Sequence, residues 1–366
     1  AVTTNTGTVT ITNNDYTVAQ LKTINAATTG AITLSDPSSN LSGASSDIVL
    51  AFASSANGTA VTTNTGTVTI TNNDYTLAEL VTINAATNGA ITLSNTGAAL
   101  SGTVTNLKSA FAGQVTTHTG TVTITDAEGT DITATDITDI NSTNTGTITV
   151  SNAIDINGSG SEVAAAFSAI DTNTGNATAH ITGSDYTAAQ LKTINDATSG
   201  SIVLVDPSVA LTGTAAEIHS ALAGTITKHT GLVTLTDLTE NLSDTSSNLA
   251  VAFNGNISTQ TGTITITNNN YTVAELKTIN EATTGQIVLS FPNVNISGDS
   301  TVIAAAFAGN ITTHTGTVTI TNNDYTLEEL KTINNASTGN ITLNTSNRDL
   351  SGSGSDLAAA LSPVIN

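Results

Sequence analysis

Apolar and polar residues alternate in short runs that recur along the whole chain. In Thr8-Val9-Thr10-Ile11-Thr12 the two apolar side chains fall on one side and the three threonines on the other. This period of two predicts a strand with one buried face, and β-branched residues favour that conformation. Leu21 and Ile24 follow at the spacing of one helix face, so a short helix is predicted after the strand.

A capping box marks the start of this predicted helix. Thr17 is the N-cap, and Gln20 is the polar residue three positions later. Asn25 stands where the helix is expected to end, because asparagine tolerates the left-handed backbone found there. The same box recurs at Thr76/Glu79, Thr187/Gln190, Thr272/Glu275 and Thr326/Glu329, and Thr133/Asp136 takes its place in a more diverged copy.

The strand and helix belong to a unit that repeats from glycine to glycine. Four close copies of 23 residues, here called short coils, run from Gly7, Gly66, Gly262 and Gly316. Long coils such as Gly89–Gly120 span 31 residues, and their helix carries an apolar pair four residues apart. The anchoring glycines are Gly7, Gly30, Gly66, Gly89, Gly120, Gly146, Gly175, Gly200, Gly231, Gly262, Gly285, Gly316 and Gly339. The long-coil helix pairs are Ile48/Phe52, Leu107/Phe111, Val163/Phe167, Ile218/Leu222, Leu249/Phe253, Ile303/Phe307 and Leu357/Leu361.

The aromatic residues occupy fixed positions in these coils. All five tyrosines precede a short-coil capping box, and five of the six phenylalanines fill one long-coil helix position. Only Phe291 lies elsewhere. An ordinary globular core would scatter its aromatic residues, whereas stacked equivalent layers place them in columns.

Repetition of a strand, a helix and a parallel strand predicts a repeat solenoid. Such crossovers are right-handed in nearly all proteins, so we expect a right-handed β-solenoid or β-α solenoid. It would have one parallel sheet, a row of short helices and about 13 coils in a single continuous array over residues 1–366. Because the first residues begin within a repeat, we expect the chain to be a segment of a longer protein.

Composition narrows the class of function. The formal charge of −21, from 28 acidic and 7 basic residues, opposes binding to nucleic acid or to anionic membranes. No apolar run is long enough to span a bilayer, so membrane insertion is not expected. The absence of cysteine removes disulfides and thiolate metal sites.

The histidines do not form a catalytic constellation. His118, His229 and His314 share the position two residues before an anchoring glycine. Other coils hold Asn5, Asn64, Asn144, Asn173 or Gln260 at that position. Since asparagine and glutamine cannot replace a catalytic base, we expect a polar hydrogen-bonding column, and the chain is predicted not to be an enzyme. Calcium is the one candidate cofactor for this chain.

One acidic turn is a candidate calcium site. Asp126, Glu128 and Asp131 lie close together in sequence, with Gly129 to turn the chain. Calcium prefers such oxygen ligands, although the segment matches no complete calcium loop, and a solvated acidic turn is the alternative interpretation.

The TGTVTITNNDYT and LKTINAATTG blocks resemble the long repeat arrays of giant bacterial surface proteins and adhesin stalks, especially those of cyanobacteria. This resemblance implies a secreted structural array in a surface filament, sheath, S-layer or adhesin stalk, outside the cell, which assembles with copies of itself. The alternative is a surface-binding module, such as a calcium-dependent adhesin or a solenoid that binds glycans or ice through its threonine face.

Overall fold

A computed structural model of the protein describes residues 4–53, 61–255, 257 and 259–362. The chain divides into two compact units, Ala1–Val209 with His219–His229, and Ala210–Ile218 with Thr230–Asn366. The structural elements below are numbered through the chain and assigned to these units.

The first unit alternates short parallel strands with helices of two to three turns. Its elements are β1 (Val9–Ile11), α1 (Val18–Ala27), β2 (Ile32–Leu34), β3 (Leu41–Gly43), α2 (Ser45–Phe52), β4 (Val68–Ile70), α3 (Leu77–Ala86), β5 (Ile91–Leu93), β6 (Leu100–Gly102), α4 (Val104–Phe111), β7 (Val122–Ile124), β8 (Asp131–Thr133), α5 (Ala134–Thr143), β9 (Ile148–Val150), β10 (Asp155–Gly158), α6 (Gly160–Ala169), β11 (Thr172–Asn173), β12 (Thr178–Ile181), α7 (Ala188–Ala197) and β13 (Ile202–Leu204).

The second unit repeats the same arrangement. Its elements are β14 (Leu211–Gly213), β15 (Val233–Leu235), β16 (Leu242–Asp244), α9 (Ser246–Phe253), β17 (Ile264–Ile266), α10 (Val273–Glu281), β18 (Ile287–Leu289), β19 (Ile296–Gly298), α11 (Ser300–Phe307), β20 (Val318–Ile320), α12 (Leu327–Ala336), β21 (Ile341–Leu343) and α13 (Gly354–Ala360). Helix α8 (Ala215–Leu222) contains residues of both units. The 13 helices of the described residues equal the predicted number of coils.

All strand pairs between neighbouring coils are parallel, as the repeat predicts. The first unit contains the sheets β1-β2, β3-β4-β5, β6-β7-β9-β11 and β8-β10-β12-β13. The second contains β14-β15, β16-β17-β18 and β19-β20-β21. The described residues thus form an α/β repeat structure with seven small parallel sheets, where the sequence predicted one sheet.

The sheets are short because most long coils contain two strands, where the sequence predicted one. In the sheet β3-β4-β5, the segment between a strand and the next helix lengthens from one strand to the next. Strand β3 ends at Gly43 and α2 begins at Ser45, whereas β5 ends at Leu93 and α4 begins at Val104. Beyond β5 the next partner of Ile91 is Val115, which already lies past the C-terminal end of α4. The sheet therefore ends there, and β6 begins a new one.

The predicted capping boxes are confirmed in α1, α3, α7, α10 and α12. The box expected at Thr133/Asp136 is wrong, because the Thr133 side chain makes no capping hydrogen bond and the residue belongs to strand β8. A box that the sequence analysis missed joins Ser159 and Glu162 at the start of α6.

The core consists of the predicted columns. The five tyrosines, the five long-coil phenylalanines and most apolar strand residues are buried, whereas others such as Val9, Val233, Leu235, Leu242 and Leu343 are partly buried. Leu361 is wrong as a core position, since it follows the end of α13 and is 49% exposed. Among the described residues, no helix is long and apolar enough to cross a membrane.

Candidate functional site

The most strictly repeated residues lie where neighbouring coils touch, and the anchoring glycines make the closest contacts. A methyl group added to Gly89 would lie 2.0 Å from the carbonyl oxygen of Gly66. The corresponding distance is 1.9 Å between Gly339 and Gly316. No side chain fits in this space, so glycine is required for one backbone to pass directly over the next.

The polar column predicted two residues before the glycines is present in the structure. His118 is fully buried, and its Nε2 lies 2.8 Å from the carbonyl oxygen of Ala98, 20 residues earlier in the chain. Asn64 is also fully buried, and its Nδ2 donates to the carbonyl oxygen of Ser39 over 3.0 Å. Equivalent bonds run from His229 to Val209, from Gln260 to Glu240 and from His314 to Val294. Histidine, asparagine and glutamine can therefore do one task, which is to bind a backbone carbonyl 20 to 25 residues earlier in the chain. Asn5, Asn144 and Asn173 differ, since they donate to the carbonyl oxygens of Gly7, Gly146 and Ala197.

Burial changes the titration of one member of this column. His314 packs against Phe307, with 5.3 Å between ring centroids, and its Nδ1 has no hydrogen-bond partner. Burial lowers the pKa of His314, against the weaker opposing effect of the hydrogen bond to the backbone of Val294. The neutral imidazole is the form that fits this position.

The tyrosines form a second column with equivalent surroundings. Tyr16 and Tyr75 are both buried in front of a capping box, at 4% and 2% exposure. The Tyr16 hydroxyl donates to the carbonyl oxygen of Asp36, and Tyr271 makes the same bond to Phe291 over 2.8 Å. Burial raises the pKa of Tyr271 to about 12. The hydroxyls of Tyr16, Tyr186, Tyr271 and Tyr325 thus fasten their coils to the loop of the following coil, whereas the buried Tyr75 hydroxyl has no hydrogen-bond partner among the described residues.

Asn25 has a different role from the predicted one. Helix α1 continues to Ala27, and Asn25 lies within its last turn. Its Nδ2 donates to the carbonyl oxygens of Leu50 and Ala53, at the C-terminal end of α2, each over 2.8 Å. Equivalent bonds run from Asn84 to Ser109 and Ala112, from Asn195 to Ser220, from Asn280 to Ala305 and from Asn334 to Ala359. We call this contact the C-terminal clamp.

A second clamp joins the N-terminal ends of helices, and the sequence analysis missed it. The Ser300 N–H donates to Asn322 Oδ1, and its hydroxyl donates to Glu329 Oε2, each over 2.8 Å. Burial alone would raise the pKa of Glu329, but hydrogen bonds from Thr326, Thr301 and Ser300 lower it. Ser45 and Ser246 make the same contacts with Asn72/Glu79 and Asn268/Glu275. This is the N-terminal clamp, and its sequence signal is a serine two residues after the last residue of a strand, which is Gly43, Asp244 or Gly298.

The acidic turn does not bring its three carboxylates to one point. Asp126 is buried and accepts the Val104 N–H over 2.8 Å, which is the bond that asparagine makes in the N-terminal clamp. Asp131 lies on strand β8, in register with Asp155. Glu128 is exposed, and Gly129 turns the chain with a positive φ as expected. The geometry gives the calcium site no support, so calcium binding stays a prediction.

Ion pairs also cross between neighbouring helices. Lys22 lies 2.5 Å from Asp47, and Lys331 lies 3.0 Å from Asp356. Lys108 contacts Asp136 and Asp139. These side chains are partly exposed, so the pairs contribute little to stability.

The outer face of most sheets carries hydroxyl groups in register. Ser42, Thr69 and Thr92 are Cα partners across β3, β4 and β5. Ser297, Thr319 and Thr342 repeat this row across β19, β20 and β21. In the sheet that contains β10 and β12, the row changes to Asn157 and His180.

Within residues 4–53, 61–255, 257 and 259–362, no group of three or more histidine, aspartate or glutamate side chains is placed to hold a metal ion. No protein-family model matches the chain, and no curated protein sequence matches it. Function must therefore be inferred from the contacts between coils.

Proposed function

We propose that the chain is a structural repeat segment, a continuous right-handed β-α solenoid without catalytic activity. Its place is an extracellular surface filament, sheath, S-layer or adhesin stalk, and its partners are further copies of itself. The observation that carries the proposal is the use of the repeated polar residues. Members of the buried column, four of the five tyrosine hydroxyls and both clamps are bonded to residues 20 to 34 positions away, about one repeat along the chain.

This pattern differs from that of a catalytic or ligand site. A site concentrates unusual residues at one place, whereas here most repeated side chains have equivalent partners in coil after coil. His118 and Asn64 illustrate this, since two different residues are buried to the same extent and bind equivalent carbonyls. Such uniformity supports a structural role in which every coil supports the next one.

Charge and composition support an extracellular setting. An excess of acidic residues keeps a repetitive chain soluble and opposes unspecific association. The chain has no cysteine or methionine to be oxidised. A spacer that persists outside the cell benefits from both properties.

Negative-stain electron microscopy of the purified chain tests the proposal. We expect thin rods of uniform width that lengthen or associate side by side as concentration rises. Compact particles that stay monomeric at every concentration would contradict the structural role.

The in-register hydroxyl rows favour one alternative, a sheet face that binds ice or a glycan. Strands in a sheet lie about 4.8 Å apart, so a row such as Ser42, Thr69 and Thr92 presents hydroxyls at a regular spacing. Thermal hysteresis and glycan-array binding by the purified chain test it, with Thr69→Lys as the variant that disrupts the row. Absence of both activities in the unmodified chain would eliminate this alternative.

A further inference from the structure

The two kinds of clamp alternate along the row of helices. In the second unit, Ser246 joins the N-terminal ends of α9 and α10 through Glu275. Asn280 then joins the C-terminal ends of α10 and α11, and Ser300 joins the N-terminal ends of α11 and α12. Each of these neighbouring helix pairs is thus fastened at one end, and the fastened end switches from one pair to the next.

Open clefts lie at the ends opposite the clamps. Between α11 and α12 a cleft of about 270 Å³ is lined by Phe307, Ala308 and Gly309 on one side and by Thr332 and Asn335 on the other. All of these residues lie in or beyond the C-terminal halves of the two helices. A cleft of about 340 Å³ occupies the same place between α9 and α10.

In the first unit, clefts also lie opposite the clamps, and one C-terminal clamp has its cleft at the N-terminal side. Asn25 clamps the C-terminal ends of α1 and α2, and a cleft of about 440 Å³ lies at their N-terminal side, lined by residues that include Tyr16, Thr17 and Leu41. Between α4 and α5, Asp126 binds the N-terminal end of α4. There a cleft of about 370 Å³ lies at the C-terminal side.

The glycines beside these clefts keep them open. Gly113 and Gly309 follow long-coil helices with positive φ values of 72° and 85°. Nothing lies within 4 Å of a methyl group added to Gly113, and only Asn280 Oδ1 lies near one added to Gly309. The chain therefore leaves the helix end without placing a side chain in the cleft.

We propose that the helix row is a series of hinges with alternating pivots. Each clamp is a pivot, because its bonds hold two helix ends through buried backbone groups and a carboxylate. Each cleft is the side that opens and closes, because it contains open volume and its rim consists of exposed residues such as Ala308, Gly309 and Asn335. The helices can then change their mutual angles while the strand ladders stay intact. This compliance goes beyond the proposed structural function and does not depend on the cellular location.

Spin labels test the hinge directly, because the chain has no native cysteine. One label pair, Ala308→Cys with Asn335→Cys, lies on the two walls of the cleft between α11 and α12. The matched pair, Val302→Cys with Glu328→Cys, lies near the clamped ends of the same helices. Dipolar broadening in continuous-wave EPR spectra of the full chain reports both distance distributions.

We expect the distribution at the cleft to be clearly broader than that at the clamp. Equal widths, or a broader distribution at the clamp, would overturn the proposal. Far-UV circular dichroism of each labelled chain confirms that the fold is retained.

Removal of single clamps provides a second, independent test by hydrogen exchange. Ser300→Ala should raise exchange roughly 3- to 10-fold in the first turn of α11, which is the effect of losing about one net hydrogen bond. Asn280→Ala should do so in the last turn of α11 and leave the first turn unchanged. If both variants raise exchange evenly along the helix, the ends are not independent pivots and the proposal is wrong.

Discussion

Replacement of an anchoring glycine by alanine should distinguish the effect of close contact between coils from effects of local sequence on stability. Gly7 and Gly66 end the same heptapeptide, AVTTNTG, and the following ten residues are identical. A methyl group at Gly66 would lie 2.3 Å from the carbonyl oxygen of Ser39. A methyl group at Gly7 meets nothing closer than Asn5 Oδ1, at 3.7 Å.

The cost at Gly66 follows from the bonds around it. A carbon atom approaches a carbonyl oxygen to about 3.3 Å, so the two coils must separate locally by about 1 Å. That displacement breaks the bond of Thr65 N–H to Pro37, at 2.8 Å, and that of Thr67 N–H to Asn40, at 2.9 Å. The third bond lost joins Asn64 to Ser39, at 3.0 Å.

Three lost hydrogen bonds cost about 3 kcal/mol. The lower entropy of the unfolded chain with alanine offsets about 0.4–1 kcal/mol of this. Gly66→Ala should therefore destabilise the first unit by about 2–3 kcal/mol. Gly7→Ala should leave its stability unchanged or raise it by up to about 1 kcal/mol.

Urea denaturation followed by circular dichroism measures both free energies, and hydrogen exchange locates the disturbed coil. The identical local sequence makes Gly7→Ala the control for helix, strand and turn propensity. Equal destabilisation by the two substitutions would refute the close approach of neighbouring backbones.

Further predictions concern the polar contacts. His314 is neutral in the fold with a lowered pKa, so its contribution to stability is complete above its ordinary pKa of 6.5 and decreases as the pH falls toward the lower folded value. His314→Asn should remove this part of the pH dependence of the urea midpoint, and an unchanged slope would contradict the assignment. Asn84→Ala should lower the free energy of unfolding by about 1–2 kcal/mol in urea denaturation. Asn84→Asp should lower it more, since a carboxylate would face the helix carbonyls that now accept hydrogen bonds. Equal losses of stability by the two variants would contradict the C-terminal clamp. Asp126→Asn should change the unfolding free energy by less than about 0.5 kcal/mol, because asparagine makes the same bond in other coils. Added calcium should not raise the stability of the unmodified chain through Asp126, whose carboxylate already accepts the Val104 N–H. Tyr271→Phe should cost about 1 kcal/mol in urea denaturation, and a spectrophotometric titration that finds its phenol ionising near pH 10 would contradict its burial.

Much of the fold could be predicted because local signals coincide with the repeat. The capping box at Thr17 and Gln20 is a local hydrogen-bond pattern, and its periodic recurrence separates it from chance. The tyrosine and phenylalanine columns were predictable for the same reason. Residues that repeat at one position of a coil share one environment when coils stack.

The parts that could not be predicted depend on contacts between coils. Strand β3 has a single apolar residue, Leu41, followed by Ser42 and Gly43, so it shows no alternation to detect. Asn25 looked like a local helix end, but its partners lie 25 to 28 residues later in the chain. The recurrence of asparagine at this coil position indicated a shared role, although the sequence did not reveal the hydrogen-bond partner.

The division into small sheets also has a tertiary origin. Whether a sheet continues depends on where the next coil places its strand relative to its helix, and that position shifts with loop length. Residue patterns within a coil contain no information on this shift. The number of coils could therefore be predicted, whereas the continuity of the sheet could not.

Disulfide formation can establish whether neighbouring coils pair as parallel, in-register strands. Thr69 and Thr92 are Cα partners on the exposed face of β4 and β5, a spacing that a disulfide can span. We expect Thr69→Cys with Thr92→Cys to close rapidly and without loss of structure, as should Thr319→Cys with Thr342→Cys in the second unit. The pair Thr71→Cys with Thr92→Cys, shifted by two residues to about 8 Å, should remain reduced. Closure of the shifted pair in preference to the aligned one would contradict the stacking of equivalent coils.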